Sequence, residues 1–265
     1  GYVEDEDNPI AKRFATVVRA CPRANAVTEW FYHPGRLNYP LKRAGERGEN
    51  QWQKISWERA LDEIAQKLEE IRGNYGSEAM AINSGGEITL QEEFRARFQN
   101  LFGTPNWISH GPVCFCPSMV VGEIVFGWPV PFTGVRLGIT QCALLLGANP
   151  SIANRRFWYA LLEAKKKGTK IIVVDPRRTD AAASADLWLQ LKPGTDAALL
   201  LGMMNVIINE GLYDREFVAK WCYGFDKLAE RVQGYPVERV AEVTWVDAAA
   251  IRKAARLYAT NRPGM

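Results

Sequence analysis

An α/β fold built from parallel βαβ layers is what this sequence predicts, and three observations predict it. Short apolar runs occupy residues 142–146, 170–174 and 187–191, each closed by a polar stretch marked with glycine or proline. Uninterrupted apolar runs of about 4–8 residues suit strands covered on both faces of a sheet. Between the first two runs, Phe157, Leu161, Leu162 and Ala164 recur at roughly helical spacing, and Gly168 stands where a helix would stop. Strand, helix and strand in that order make a βαβ unit. After the third run, residues 195–210 read as a buried helix that ends at Gly211.

Each run opens into a loop with its own chemistry. The first loop is Gly147-Ala148-Asn149-Pro150, where glycine lets the backbone approach a phosphate and the next helix offers unpaired N–H groups. The second is Asp175-Pro176-Arg177-Arg178-Thr179. An acid at that strand end suits a ribose, and Arg178 would neutralise phosphate. The third is Pro193-Gly194-Thr195-Asp196, whose carboxylate matches N1–H and the exocyclic amine of guanine in a bidentate pair. Plainer readings exist for each. Asp-Pro-Arg makes a turn, and Thr195 with Asp196 can cap a helix. In a parallel sheet, all three loops gather at the carboxyl ends of the strands, where ligands bind. Together they point to a nucleotide site.

The first half of the chain follows the same alternation. Residues 33–43 form an extended, proline-punctuated segment. Ser56 then caps a helix with Trp57, Ala60, Leu61, Ile64, Ala65, Leu68 and Ile71 on one face and Gly73 near its end. A strand is expected over 78–83, and a second helix over 90–102, closed by Gly103. Residues 113–140, rich in glycine, proline and aromatics, read as a loop-rich segment, where function often sits. Beyond Asp214, three helical stretches are expected, around Phe217, around Leu228 and over 249–259. Trp30, Trp52, Trp57 and Trp107 read as core.

Composition narrows the function classes. At 265 residues, 47% hydrophobic and 24% charged, the chain has the profile of one large or two modest globular domains. A net charge of +3, with no Lys/Arg cluster alternating with stacking aromatics, argues against a nucleic-acid partner. No apolar run approaches the ~18 residues of a membrane span. Five cysteines, with Cys114-Phe115-Cys116 their closest spacing, make no disulfide framework. The chain opens on Gly1 and closes on Asn261-Arg262-Pro263-Gly264-Met265, so the reading is a piece of a longer polypeptide.

The wording of these segments resembles one family throughout. Residues 33–42, Gly45-Glu46-Arg47-Gly48 and Ile55-Ser56-Trp57-Glu58-Arg59-Ala60-Leu61, then the second and third loops and Gly211-Leu212-Tyr213-Asp214, follow in order the pattern of the molybdopterin oxidoreductases. That family includes dimethyl sulfoxide reductase, formate dehydrogenases, thiosulfate, polysulfide and arsenate reductases, and tungsten-dependent acetylene hydratase. Thr104-Pro105-Asn106-Trp107 and Trp221-Cys222-Tyr223-Gly224-Phe225 are especially similar to the acetylene hydratase wording.

The resemblance implies a dimethyl sulfoxide reductase-like fold and two molybdopterin guanine dinucleotides carrying Mo or W. Gly147, Asn149, Asp175, Arg178, Thr179, Gly194 and Asp196 would hold one guanosine tail. It makes Cys114 the metal ligand in preference to Cys116, a thiolate suited to a soft metal. His110, four residues before Cys114, reads either as a proton donor facing substrate or as a hydrogen-bond partner of the loop backbone. His33 reads as structural. Cys21 resembles the last of four ligands to a [4Fe–4S] cluster, with Arg23 between cluster and pterin. Such a cluster takes four thiolates, and no cysteine precedes Cys21, a departure that fits truncation of the cluster segment, the alternative being that the cluster is absent.

The implied division is a cluster-domain remainder over 1–43, an α/β domain with the metal-ligand loop over 44–139, and a dinucleotide-binding domain over 140–265. The expected activity is redox transfer of an oxygen, sulfur or hydride equivalent to or from a small-molecule substrate, with an electron-transfer subunit as partner. The alternatives are an acetylene hydratase-like tungsten lyase and a non-catalytic nucleotide-binding remnant. A cytoplasmic setting is favoured, with the periplasm the alternative if an export signal lies upstream.

Overall fold

The computed structural model of the protein describes residues 22–85, 90–128 and 134–265. They form two compact units, one spanning Val27–Phe132 and one that includes Thr133–Met265. Two short helices come first in the chain, α1 (Pro22–Asn25) and α2 (Val27–Phe31).

In the Val27–Phe132 unit, β1 (Leu41–Arg43) pairs antiparallel with β2 (Trp52–Lys54), a partner the sequence reading did not foresee. Gly48, at φ 102°, serves the intervening turn with a conformation that suits glycine. Helix α3 (Trp57–Tyr75) begins as expected, the Ser56 hydroxyl accepting from the Arg59 N–H at 3.2 Å. It runs through Gly73 and stops at Gly76, whose φ is 86°. The strand expected over 78–83 is shorter. A 3₁₀ turn, Ser77–Ala79, takes up its start, closed by the Met80 N–H on the Ser77 carbonyl, and only β3 (Ile82–Asn83) is extended.

Helix α4 (Leu90–Phe102) ends at Gly103 as expected. Strand β4 (Trp107–Ile108) then lies parallel to β3, pairing Ile82 with Trp107 and Asn83 with Ile108. The loop-rich reading of 113–140 needs correction, because residues 116–126 form a helix, α5 (Cys116–Phe126). Pro117 lies in its first turn and Gly127, left-handed at φ 70°, ends it, the usual proline-in, glycine-out asymmetry. Flanking glycines, prolines and aromatics hid that signal.

The four tryptophans read as core are exposed, at 67% for Trp30, 53% for Trp52, 63% for Trp57 and 38% for Trp107. Two have polar partners instead, Trp52 Nε1–H on Asn50 Oδ1 at 2.7 Å and Trp107 Nε1–H on Ser84 Oγ at 3.0 Å. Trp30 lies under the Arg36 guanidinium, 5.1 Å from its ring centre. Helix α3 turns Trp57, Leu61 and Ile64 outward, and Ala60 is its buried residue.

The other unit holds the larger core. Its elements are β5 (Cys142–Leu146), α6 (Pro150–Ala153), α7 (Arg155–Lys166), β6 (Lys170–Val174), α8 (Asp180–Ala183), β7 (Leu187–Leu189) and α9 (Asp196–Asn209). Then come α10 (Arg215–Trp221), α11 (Phe225–Val232), α12 (Val237–Thr244) and α13 (Ala248–Thr260). Four helices follow Asp214 where three were expected. The extra one is α12, short enough that Val237, Val240 and Thr244 are its whole buried face.

The sheet order is β5-β6-β7, all parallel. Strand alternation divides the side chains between two cores. Cys142, Ile172, Val174, Leu189 and Leu191 face Leu199, Met203, Val240 and Ile251 from the helices α9, α12 and α13. Ala143, Leu145, Ile171 and Val173 face Leu161 and Ala164 of α7 and Ala181 and Ala182 of α8. Both faces are covered, which is why the strands read as continuous apolar runs. The third strand ends at Leu189, two residues earlier than expected, where its pairing with β6 stops, and the Lys192 N–H bonds the Thr244 carbonyl at 2.8 Å. No helix among the described residues is long and apolar enough to cross a membrane.

Burial pushes the Cys142 thiol up to about 11, with the Asp186 carboxylate adding to the shift. Between the ordinary thiol range and that value the unfolded chain releases a proton that the folded chain keeps. Stability is therefore undiminished below that range and falls as pH rises through it. Alkylation of the native protein at mild pH should spare Cys142 while modifying the exposed Cys114, Cys116 and Cys222, read by peptide mass spectrometry. Rapid labelling of Cys142 would mean that the sheet opens.

Candidate functional site

The registers of the three parallel strands place Leu146 beside Val174 and Val174 beside Leu189. That row is the carboxyl edge of the sheet, so the three loops leave it side by side, as expected. Gly147, Asn149, Asp175, Arg178, Thr179, Gly194 and Asp196 are brought to one end of the unit.

Gly147 contributes a turn rather than a donor. Its φ is 56°, and its N–H is already bonded to the Val174 carbonyl at 2.9 Å. At Asn149, Oδ1 accepts from the Ser151 hydroxyl at 2.8 Å, which turns the amide N–H groups away from Ser151. Asp175 is buried, 8% exposed, and its Oδ1 accepts from the Arg177 N–H at 2.8 Å. The turn reading of Asp-Pro-Arg thus holds as geometry, and the second carboxylate oxygen has no partner among the described residues. Thr179 is buried, and its hydroxyl accepts from the Ala182 N–H at 3.2 Å to cap α8. Arg177 and Arg178 are exposed beside it.

In the third loop, Gly194 has φ 82° with open space where a Cβ would stand. The Thr195 hydroxyl donates to the Lys192 carbonyl at 2.6 Å and makes no cap bond to α9. Thr195 thus holds the N-cap position that the helix-cap reading gives it, with its carbonyl accepting from the Leu199 N–H at 3.1 Å, but without a side-chain cap bond. Asp196 opens α9, and its carboxylate has no hydrogen bond or ion pair among the described residues. Two carboxylates with free oxygens, a free amide and two exposed guanidiniums are the donor and acceptor set a ribonucleotide needs.

The second group of residues lies in the Val27–Phe132 unit, again beyond the carboxyl end of a parallel strand. His110 follows β4 by two residues and precedes a 3₁₀ turn, Gly111–Val113, which Cys114 closes through its N–H on the Gly111 carbonyl at 3.2 Å. The Cys114 thiol is exposed. Cys116 opens α5 with its sulfur against Gly111, 2.9 Å from where a Cβ on that glycine would lie. The two thiols therefore differ. His110 Nδ1 is buried with no hydrogen-bond partner among the described residues. His33 is structural, its Nδ1 accepting from the Gly35 N–H at 3.0 Å. Arg23 is exposed on α1. Cys21 lies outside the described residues.

Sequence reasoning missed Ser151, Trp188 and Gln190, which bond into the first two loops. The alternation Leu187-Trp188-Leu189-Gln190-Leu191 carried the signal for the last two, since it puts them on one face of their strand.

The sheet and its loops define a doubly wound α/β protein of the kind that takes a ligand at the carboxyl ends of its strands. A family model described as "Molybdopterin oxidoreductase" matches residues 36–258. The chain belongs to that family. It is 48% identical over 238 residues to the acetylene hydratase of Syntrophotalea acetylenica, covering 87% of this chain and 32% of the relative. It is 31% identical over 262 residues to the thiosulfate reductase molybdopterin-containing subunit of Salmonella typhimurium, covering 97% of this chain and 33% of the relative. Among solved structures, acetylene hydratase from Pelobacter acetylenicus superposes with a TM-score of 0.71 at 44% identity, over 92% of this chain and 34% of that one. The chain thus spans about a third of the length of each of these relatives. The named relatives are enzymes, and the α/β fold is that of the hydratase.

Proposed function

We propose that this chain is part of the catalytic subunit of a molybdenum or tungsten enzyme. In this reading the loops after β5, β6 and β7 hold the guanosine tail of one of two molybdopterin guanine dinucleotides. The row of Leu146, Val174 and Leu189, from which all three loops leave the sheet together, carries the reading. Asp196 accepts from the guanine edge, Asp175 from the ribose, and Asn149 and Arg178 bind phosphate. Cys114 is the protein's ligand to the metal. A single thiolate suits a centre whose other ligands come from the pterins; both thiols are exposed, and Cys116 differs in having its sulfur against Gly111. When bound, the metal centre would supply Lewis acidity or electron exchange.

The proposed reaction is the addition of water to acetylene, which consumes no electrons and ends in acetaldehyde. The 48% identity to a hydratase, against 31% to a thiosulfate reductase, supports it. His110 is the proton carrier, because its Nδ1 is buried without a hydrogen-bond partner among the described residues. A redox reading is favoured by the match to the thiosulfate reductase across 97% of the chain. It would pass electrons through a [4Fe–4S] cluster that Cys21 ligates and Arg23 links to the pterin, and on to a partner subunit. The division at residues 43/44 and 139/140 belongs to the same proposal.

Mo, W and Fe counted per chain in the natively purified protein test the metal assignment, and acetaldehyde formed from acetylene without an electron acceptor tests the reaction. Metal with acetaldehyde supports the hydratase. Metal with no acetaldehyde, but activity on thiosulfate given an electron donor, selects the redox reading. Absence of both Mo and W sinks the metal centre. Separately, Asp196→Ala should lower affinity for guanosine diphosphate about ten- to a hundredfold, the value of a charged hydrogen-bond pair, while leaving adenosine diphosphate unchanged, by calorimetry on the cofactor-free protein.

A further inference from the structure

We infer that Trp188 and Gln190 are positioning residues that aim Asp175 at the ribose, an assignment that rests on the nucleotide reading above. Regular pairing between β6 and β7 stops at Val174 and Leu189. One more backbone bond follows, from the Asp175 N–H to the Leu189 carbonyl at 3.2 Å. The regular ladder goes no further. The carbonyls of Asp175 and Pro176 are then met by two side chains of the neighbouring strand. Trp188 Nε1–H donates to the Asp175 carbonyl at 2.8 Å, and Gln190 Nε2–H donates to the Pro176 carbonyl at 3.0 Å.

These two bonds fix the two successive peptides that follow the acid as the chain leaves the sheet. The side chain is fixed in turn by the Arg177 N–H on its Oδ1. With the backbone clamped from one side and Oδ1 held on the other, only Oδ2 is left to meet a ligand, and its direction is set before the ligand arrives. Asp175 itself is buried, so little freedom remains to recover that direction if the clamp is lost. A purely structural role would need only that the two carbonyls be satisfied. Water can do that at Pro176, which is exposed along with Gln190. The direct bond from Gln190 therefore adds orientation that water does not.

The test compares guanosine diphosphate with 2′,3′-dideoxyguanosine diphosphate on the intact, cofactor-free chain by calorimetry. The variants are Gln190→Met, which removes an exposed donor, and Trp188→Phe, which keeps an aromatic ring. The unmodified chain should prefer the ribose form about tenfold. Each variant should bind guanosine diphosphate about three- to tenfold more weakly, with the dideoxy form nearly unaffected. The ribose preference then shrinks while the melting temperature of Gln190→Met stays level. Equal loss for both ligands, or an unchanged preference in both variants, overturns the inference. Binding without any ribose preference in the unmodified chain overturns it too, while leaving the nucleotide reading intact. No binding of guanosine diphosphate at all removes the nucleotide reading and this inference together.

Discussion

Cys114→Ser should yield protein with little molybdenum or tungsten and activity lower by about 100-fold or more, since even losses outside the direct ligand set reach about that size. Serine keeps the shape of the side chain but replaces a polarisable thiolate with a hydroxyl that is protonated at neutral pH. A soft metal loses its preferred partner in that exchange. The loop should survive the change, because its closing bond runs from the Cys114 backbone N–H to Gly111 and does not use the thiol. Cys116→Ser is the matching control. Its sulfur lies against Gly111 at the start of α5, so the metal content should hold. Metal analysis of both variants, beside their circular dichroism, decides the matter. If Cys116→Ser loses the metal and Cys114→Ser keeps it, the ligand assignment is reversed.

What could be read from the sequence was what depends on periodicity. Residues 142–146 and 170–174 announce a sheet covered on both faces, and the structure supplies helices for each side, α7 and α8 on one and α9, α12 and α13 on the other. The gathering of Gly147, Asp175 and Gly194 at one edge follows from parallel topology alone. Other features depend on facts that no pattern encodes. Whether the Thr195 side chain caps α9 turns on where its hydroxyl points, and it points to Lys192. Helix α5 carries ordinary start and stop signals in Pro117 and Gly127, but they are two among many prolines and glycines in that stretch. The tryptophans were misread because size and apolarity say that a side chain favours burial, not that a neighbour exists to bury it.

That last distinction yields a prediction about stability. Leu199 of α9 is fully buried among Ile172, Val174, Leu189, Val240 and Ile251, and Leu199→Ala should cost about 2–5 kcal/mol through lost burial and the cavity left behind. For a domain of this size, each kcal/mol lowers the melting temperature by about 2–4 °C. Because Asp196 opens the same helix one turn earlier, the variant should also bind guanosine diphosphate less tightly than the unmodified chain. Leu61 of α3 is the same residue type in the opposite situation. It is 60% exposed, beside Leu37, Tyr39, Pro40, Trp57 and Ile64 in an apolar groove, so Leu61→Ala should change stability by less than about 0.5 kcal/mol. Thermal unfolding of the two variants side by side separates the cases. A large loss at Leu199 with none at Leu61 ties stability to the three-stranded sheet and its flanking helices. Equal losses would mean that the α3 face is covered in the native protein, and the apolar groove would then be an interior surface.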